Sequence, residues 1–269
     1  WGFDGFIVSD YNAVGELQEH RVAADKLESG IAAYNAGLDM DMVTAACLEL
    51  EQAVKDGRVS MKTIDNACRN ILVAKYKLGL FENPYKHLAK ALSARVYTAE
   101  NREASRKVAA ESFVLLKNDN VLPLQKKGTV ALVGPLADDG AQYVGTWTGA
   151  AYKKYPSLLE AFRSIDGVKV IHARGSNLLE DAVQEEKLSY RYKYNRDPRS
   201  EEKLIREAVA AARRADVVVA AVGEAAYMAG ESVSKTSLDL PGCQKRLLEA
   251  LVKTGKPVVM VLFSGRPLT

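Results

Sequence analysis

Val217-Val-Val-Ala-Ala-Val222, closed by Gly223 and Glu224, is six apolar residues without a polar break. A run of that length, bounded by a turn former, reads as a strand buried on both faces, the kind that parallel sheets use. Working outward, the same signal recurs at Val130-Ala-Leu-Val133, Val168 to Ile171 and Val258 to Phe263, and again at Val114-Leu-Leu116. Amphipathic helical patterns fill about 157–165, 201–214 and 242–254 between these runs, and a helix is predicted over Ala99 to Glu111. Strands alternating with helices specify a layered α/β unit with a parallel sheet.

The front of the chain has a related order on a smaller scale. Gly5-Phe-Ile-Val-Ser-Asp10 and Gly37-Leu-Asp-Met-Asp-Met42 are short strand candidates, with a polar, helix-prone stretch from about Glu16 to Asn35 between them. Helices are predicted over about Thr44 to Lys55, stopping at Gly57, and over about Ser60 to Leu78, with Ser60 as N-cap and Gly79 at the C-terminal end. Ile64, Cys68, Ile71, Leu72 and Leu78 recur at helical spacing, so Cys68 is expected to be a core thiol. A (β/α)8 barrel takes roughly 250 residues. Two strands before a break at Asn83-Pro-Tyr85 would be its last quarter. The expected organisation is therefore α/β throughout: residues 1–85 as the C-terminal portion of a (β/α)8 barrel if they belong to one, 86–105 as a linker, and 106–269 as a layered α/β unit truncated at its C-terminal end. The chain starts at Trp1 and stops at Thr269, just after a strand-like run, and is read as a piece of a longer protein.

Composition narrows the function. Lys plus Arg is 37 and Asp plus Glu is 34 in 269 residues, a net charge of +3, too balanced for a dedicated nucleic-acid binder. No apolar stretch reaches the roughly 18–20 residues of a membrane span. Cys47, Cys68 and Cys243 are too scattered for a disulfide framework or a zinc site, and His20, His87 and His172 have no ligand spacing. No metal and no cofactor are expected. Gly134-Pro-Leu-Ala-Asp-Asp-Gly140 follows a strand but lacks the G-x-G-x-x-G pattern, and neither a phosphate loop nor a G-x-S-x-G elbow occurs.

Carboxylates at the carboxyl ends of strands remain. Asp10 ends the first strand run, where a nucleophile, a base, a metal ligand or a solvated helix N-cap would each sit. Glu224 and Glu231 flank a glycine-containing loop after Val217–Val222, which reads either as a second acidic site or as a polar surface loop. Asp39 and Asp41 share one face of a short strand and are expected to be structural, one holding a helix end and the other a buried Arg or Lys. The segment Lys187 to Ser200 interleaves basic residues with tyrosines, but the acidic run Glu180, Asp181, Glu185 and Glu186 before it largely cancels its charge. It is read as a polar surface loop, not a nucleic-acid patch.

Longer blocks carry a resemblance. W-G-F-D-G-F-I-V-S-D at 1–10 resembles the nucleophile segment of glycoside hydrolase family three, and A-G-L-D-M-D-M at 36–42 resembles its last barrel strand. N-I-L-V-A-K-Y-K-L-G-L-F-E-N-P-Y at 70–85 is similar to the barrel-closing helix, and A-A-E-S-F-V-L-L-K-N-D-N-V-L-P-L at 109–124 to the opening of the second domain. V-G-E-A-A-Y-M-A-G-E-S-V-S-K-T-S-L-D-L-P-G-C-Q at 222–244 resembles the acid/base loop, and G-K-P-V-V-M-V-L-F-S-G-R-P-L at 255–268 the strand after it. The blocks occur in family order along essentially the whole chain. The resemblance implies a retaining exo-β-glycosidase, a β-glucosidase by type, with the nucleophile on a (β/α)8 barrel and the acid/base on an α/β sandwich. Asp10 matches the nucleophile and Glu231 the acid/base, with Tyr11 and Glu224 as substrate-binding residues. The implied partner is a glycoside or oligosaccharide, with neither nucleic acid nor a membrane span, and the implied parent is periplasmic or secreted. Tyr11 stands where many members have Trp, and Lys235 where many have Arg. A β-xylosidase of the same family and a non-catalytic carbohydrate-binding remnant are the alternatives. The sugar-gripping residues of earlier barrel loops have no counterpart here, so the fragment itself is expected to be inactive.

Overall fold

The computed structural model describes residues 2–86, 88, 98–145, 147, 155–188 and 193–269. The chain divides into two compact units, residues 1–113 and 114–269. His87, most of the stretch expected to be a linker, and residues 189–192 of the tyrosine-rich segment lie outside the described residues.

The first unit contains α1 (Ala13–Glu19), α2 (Lys26–Asn35), α3 (Leu50–Lys55), α4 (Met61–Lys77) and α5 (Ala99–Ser112). The helix expected from Glu16 to Asn35 is broken into α1 and α2. Arg21 takes a left-handed φ of 59°, and the Asp25 side chain restarts the helix by accepting from the Glu28 amide at 2.9 Å. α3 is preceded by a 3₁₀ turn over Ala46–Glu49. Ser60 caps α4 by accepting from the Thr63 amide at 3.1 Å, and Gly79 follows the C-cap with a φ of 67°. The two strand candidates shrink to a single parallel bridge, Val8 to Met40. The amides of Asp39 and Met40 donate to the Ile7 carbonyl, each at 3.0 Å, and the Ser9 amide donates to Met40 O at 2.9 Å.

A small core of Tyr34, Leu50, Ala53, Val59 and Ala67 holds this unit together. Cys68 is exposed, which corrects the core-thiol expectation. α4 turns Ala67 inward with Ile64 against the same cluster, and Cys68 stands about 100° further round, near the exposed Leu72. The helical period was real, but the buried face lies one residue away from it.

The second unit is built on one parallel sheet. Its strands β1 (Gly128–Val133), β2 (Val168–Ala173), β3 (Val217–Gly223) and β4 (Val258–Phe263) lie in the order β2-β1-β3-β4. The helices α6 (Leu158–Arg163), α7 (Ala182–Lys187), α8 (Glu201–Arg213) and α9 (Gly242–Val252) connect them. Alternate residues feed two cores. Val130, Leu132, Val219 and Ala221 pack with Leu136, Leu159, Leu178 and Met228 on one face. Ala131, Val133, Val218 and Ala220 pack with Ala208, Ala212, Leu247 and Leu251 on the other. Burial on both faces is why these strands read as unbroken apolar runs. The run Val114-Leu-Leu116 is not a strand: it is exposed, and no ladder among the described residues takes it up.

The order β2-β1-β3-β4 carries a functional consequence. The chain leaves β1 toward one edge of the sheet and returns through β3 toward the other. Open α/β sheets bind ligands outside the carboxyl ends of strands, at such a reversal. Here the reversal is flanked by the loop after β1, which starts at Gly134, and the loop after β3, which carries Glu224 and Glu231.

Candidate active site

Asp10 follows the bridged segment directly and is exposed, as is Tyr11. One oxygen of Asp10 accepts from the Tyr11 amide at 2.6 Å, and its carbonyl accepts from the Ala13 amide at 3.2 Å. The N-cap position of α1 belongs to Asn12, at a φ of 57° and with no side-chain capping bond, so Asp10 is not that helix's cap. No ion pair joins Asp10 to a described residue, and the carboxylate is presented to solvent.

The backbone around Asp10 is braced from the segment after Met40. Ser9 Oγ accepts from the Met42 amide at 2.8 Å, and the Asn12 amide donates to Met42 O at 3.0 Å. Thr44 Oγ1 donates to Asn12 Oδ1 at 3.2 Å and accepts from the Gly15 amide at 3.1 Å. Val43 and Ala45, on either side of Thr44, have φ values of 77° and 57°. Both lie in the left-handed region that a β-branched residue rarely adopts. The strain is local to the turn that reaches Asn12. Nothing in the spacing of the sequence points to Ser9, Asn12 or Thr44 as one group.

Asp39 and Asp41 both make structural bonds: Asp41 holds a helix end as expected, and Asp39 does not hold an Arg or Lys. Asp39 accepts from the Ile7 amide at 2.8 Å and from Asn70 Nδ2 at 3.0 Å, replacing the expected Arg or Lys. Asp41 accepts from the Ala46 amide at 2.8 Å and so holds the start of the 3₁₀ turn. Beneath them lies the phenol of Tyr34, pushed up to about 12 by burial first and then by nearby Cys47 and Asp41.

In the second unit Glu224 and Glu231 have opposite environments. Glu224 is 4% exposed. Its Oε1 accepts from Lys235 Nζ at 3.2 Å, and its Oε2 lies 3.0 Å from Ser264 Oγ and 3.3 Å from Arg266 Nε. Glu231 is exposed, and neither a hydrogen bond nor an ion pair ties it to a described residue. Gly230 at φ 133° and Ser232 at φ 59° flank it, so the turn that lifts Glu231 is set by two left-handed residues. Ser264 and Arg266 lie about 40 positions beyond Glu224, and nothing in the spacing of the sequence singles them out.

The described part of the basic, tyrosine-rich segment is tied to its surroundings. Tyr194 is buried, with the Arg174 guanidinium 4.8 Å from its ring centroid. Arg196 pairs with buried Glu185 at 3.0 Å, and Arg199 pairs with Asp197 and Glu207. Among the described residues no group of His, Cys, Asp or Glu could hold a metal ion, and no helix is long and apolar enough to cross a membrane.

The profile of the glycosyl hydrolase family 3 C-terminal domain matches residues 113–269, and that of the family 3 N terminal domain matches residues 1–74. A periplasmic beta-glucosidase of Salmonella typhimurium is 44% identical over all of this chain and 36% of its own length. A beta-xylosidase of Formosa agariphila is 37% identical over all of this chain and 37% of its own length. Among solved structures, a beta-glucosidase from Listeria innocua in complex with isofagomine superposes with a TM-score of 0.83 at 32% identity, over 99% of this chain and 35% of that one. The chain thus spans little more than a third of the length of the relatives it matches. Two profiles in chain order, the parallel α/β sheet and the loop carboxylates at strand ends agree: the chain belongs to glycosyl hydrolase family 3.

Proposed function

We propose that this chain carries the two catalytic carboxylates of a retaining exo-β-glycosidase, with β-glucosidase as the activity. The observation that carries the reading is the contrast among its strand-end carboxylates. Asp39, Asp41 and Glu224 make structural bonds, while Asp10 and Glu231 stand exposed on loops. The 44% identity to the Salmonella beta-glucosidase across the whole chain supports the sugar assignment. The β-xylosidase reading is kept as the second one, because a beta-xylosidase is 37% identical over the same span.

In this reading Asp10 attacks the anomeric carbon as a carboxylate, forming a glycosyl ester, while Glu231 gives its proton to the departing glycosidic oxygen. Glu231, now a carboxylate, takes a proton from water as the water attacks the ester. The sugar is released with its configuration kept, and Asp10 is regenerated. Tyr11 presents a ring beside the reacting sugar. The parent enzyme is periplasmic or secreted, a placement supported by the periplasmic relative.

The test is made on the full-length enzyme that contains this chain. A 2-fluoro β-glucoside traps the ester, and peptide mapping should place the label on Asp10. A label on Asp39 or Asp41 moves the nucleophile. The anomeric proton followed by NMR during hydrolysis should show the β-anomer first; initial release of the α-anomer sinks the covalent route. Comparing aryl β-glucoside with aryl β-xyloside turnover decides between the two sugars.

A further inference from the structure

We propose that Glu224 is a positioning residue, a buried anionic latch that sets the loop bearing Glu231, and not a group that contacts the sugar. The inference rests on the reading of Glu231 as the acid/base and adds how that residue is held. Glu224 begins the loop after β3, and its amide donates to the Phe263 carbonyl at the end of β4 at 2.7 Å. The carboxylate therefore starts from a fixed backbone point. From there it reaches two cations that act on different parts of the loop.

On one side Lys235 Nζ donates both to Glu224 Oε1 at 3.2 Å and to the Asp239 carbonyl at 3.1 Å. This ties down the chain after Glu231. On the other side Arg266 pairs with Glu224 Oε2 through Nε at 3.3 Å and donates through Nη2 to the Met228 carbonyl at 2.7 Å. This ties down the chain before Glu231. Ser264 Oγ, 3.0 Å from Oε2, completes the surroundings of the carboxylate and also accepts from the Arg266 amide at 3.1 Å.

One side chain thus fixes the loop at residues 228, 235 and 239, and leaves only the turn around Glu231 free of it. Its own oxygens are engaged and its side chain is 1% exposed, so no surface remains for a sugar hydroxyl. Replacing the carboxylate by an amide leaves two neighbouring cations without their shared anion, which drives them apart and releases both ends of the loop. The Lys235 position needs a cation to reach Glu224 and the Asp239 carbonyl, not a lysine as such.

A latch and a sugar ligand predict different kinetics. Proton donation matters most for poor leaving groups, and a misplacement of about 1 Å costs about a hundredfold in rate. In the full-length enzyme, Glu224→Gln should lower kcat/KM on an alkyl β-glucoside about a hundredfold and on a dinitrophenyl β-glucoside only a few-fold. Glucose inhibition should stay near the parent's, and amide exchange should rise over residues 228–236. Lys235→Met should do the same, and Lys235→Arg should stay near the parent in both readouts. Equal loss on both substrates with weaker glucose inhibition overturns the latch, as does unchanged exchange over 228–236. Equal behaviour of Lys235→Arg and Lys235→Met overturns it too. Glu231→Ala is run beside these variants: if it shows no leaving-group dependence, the acid/base reading fails. The exchange data then still decide whether Glu224 holds the loop.

Discussion

A Cβ placed on Gly134 would stand 2.1 Å from the carbonyl oxygen of Ala221, and one on Gly223 would stand 2.0 Å from that of Phe263. Both glycines have φ above 110°, at 114° and 121°. Each ends a strand where the next strand's backbone passes too closely for a side chain, so the glycine is required twice, by conformation and by contact. Gly134→Ala should cost about 3 kcal/mol by adding backbone strain to overpacking. Gly255→Ala, also at positive φ but with nothing within 4 Å, should cost about 1–2 kcal/mol from conformation alone. Urea unfolding of the two variants measures the difference, and equal losses would remove the contact argument. A second residue-scale effect comes from His172 on β2, whose pKa is lowered by burial, with Arg163 and Arg174 adding to the fall and Asp138 opposing it. The folded state binds this proton less readily than the unfolded chain. The stabilising contribution is therefore present above about pH 6.5 and is lost as the pH falls toward the lowered folded value. Asp139 acts in the opposite sense, since burial raises its carboxyl, and what it contributes in acid is lost as the pH rises. The difference between the parent and His172→Gln isolates the histidine: the variant should lose less stability between pH 6.5 and 5, and parallel curves would exclude it.

At the scale of elements, α6 illustrates how a short helix is made to hold. It is six residues long, too short to persist on propensity alone. Ser157 accepts from the Glu160 amide at 3.1 Å, and Glu160 reaches back to the Ser157 amide at 2.9 Å, closing both orphan donors in a capping box. Ser157 Oγ also lies 2.9 Å from Asp138 Oδ1, which ties the cap to the loop after β1. Ser157→Ala should cost about 1–2 kcal/mol, at the upper end for a cap, because the hydroxyl is buried and serves two partners. Ser60→Ala, at the exposed cap of α4, should cost about 1 kcal/mol or less, and thermal unfolding ranks the two. The same contrast explains which elements were legible in the sequence. β1 to β4 announced themselves because burial on both faces demands apolar runs. α7 did not, since Ala182–Lys187 is polar and is held by the Asp181 cap and by Glu185 bonding the Leu179 amide. The apolar run Val114-Leu-Leu116 predicts a strand, but a strand also needs a ladder, and none among the described residues reaches it. The place of Asp10 after a strand run makes it a candidate, and the resemblance of its loop does the same for Glu231. What fixes their surroundings was not visible, because Thr44 meets Gly15 and Asn12 across 29 and 32 positions, and Arg266 meets Met228 across 38.

At the scale of the whole molecule, the two units differ in how much they bury. The second unit has a core on each face of its sheet, with Leu132, Leu136, Leu159, Leu204, Leu247 and Leu251 all shielded from solvent. The first unit has one core of five buried residues, three of them no larger than valine. It exposes Phe3, Ile7, Met40, Leu72, Tyr76 and Phe81. Hydrophobic stabilisation follows the apolar area removed from water, so the second unit should be the more stable. In hydrogen exchange on the 269-residue chain, amides of β1 and β3 should be the slowest, and those around the Val8–Met40 bridge should exchange early. Slower exchange at the bridge than in β3 would reverse the ranking. The same asymmetry bears on activity. Closure removes the free edges of a barrel sheet, and here the strand segments next to Asp10 meet in one bridge only. A nucleophile works only when its backbone is held to a fraction of an ångström against the sugar. The turn at Met42 to Ala45 braces Asp10 from one side, and no ladder extends that brace further within the described residues. On the proposed reading, the isolated chain is expected to leave intact the aryl β-glucosides that a full-length enzyme containing it would hydrolyse. It should also bind an apolar dye that the full-length enzyme does not bind. Turnover by the isolated chain comparable to that of the full-length enzyme would show that the bridge and the Met42–Ala45 brace suffice to hold Asp10.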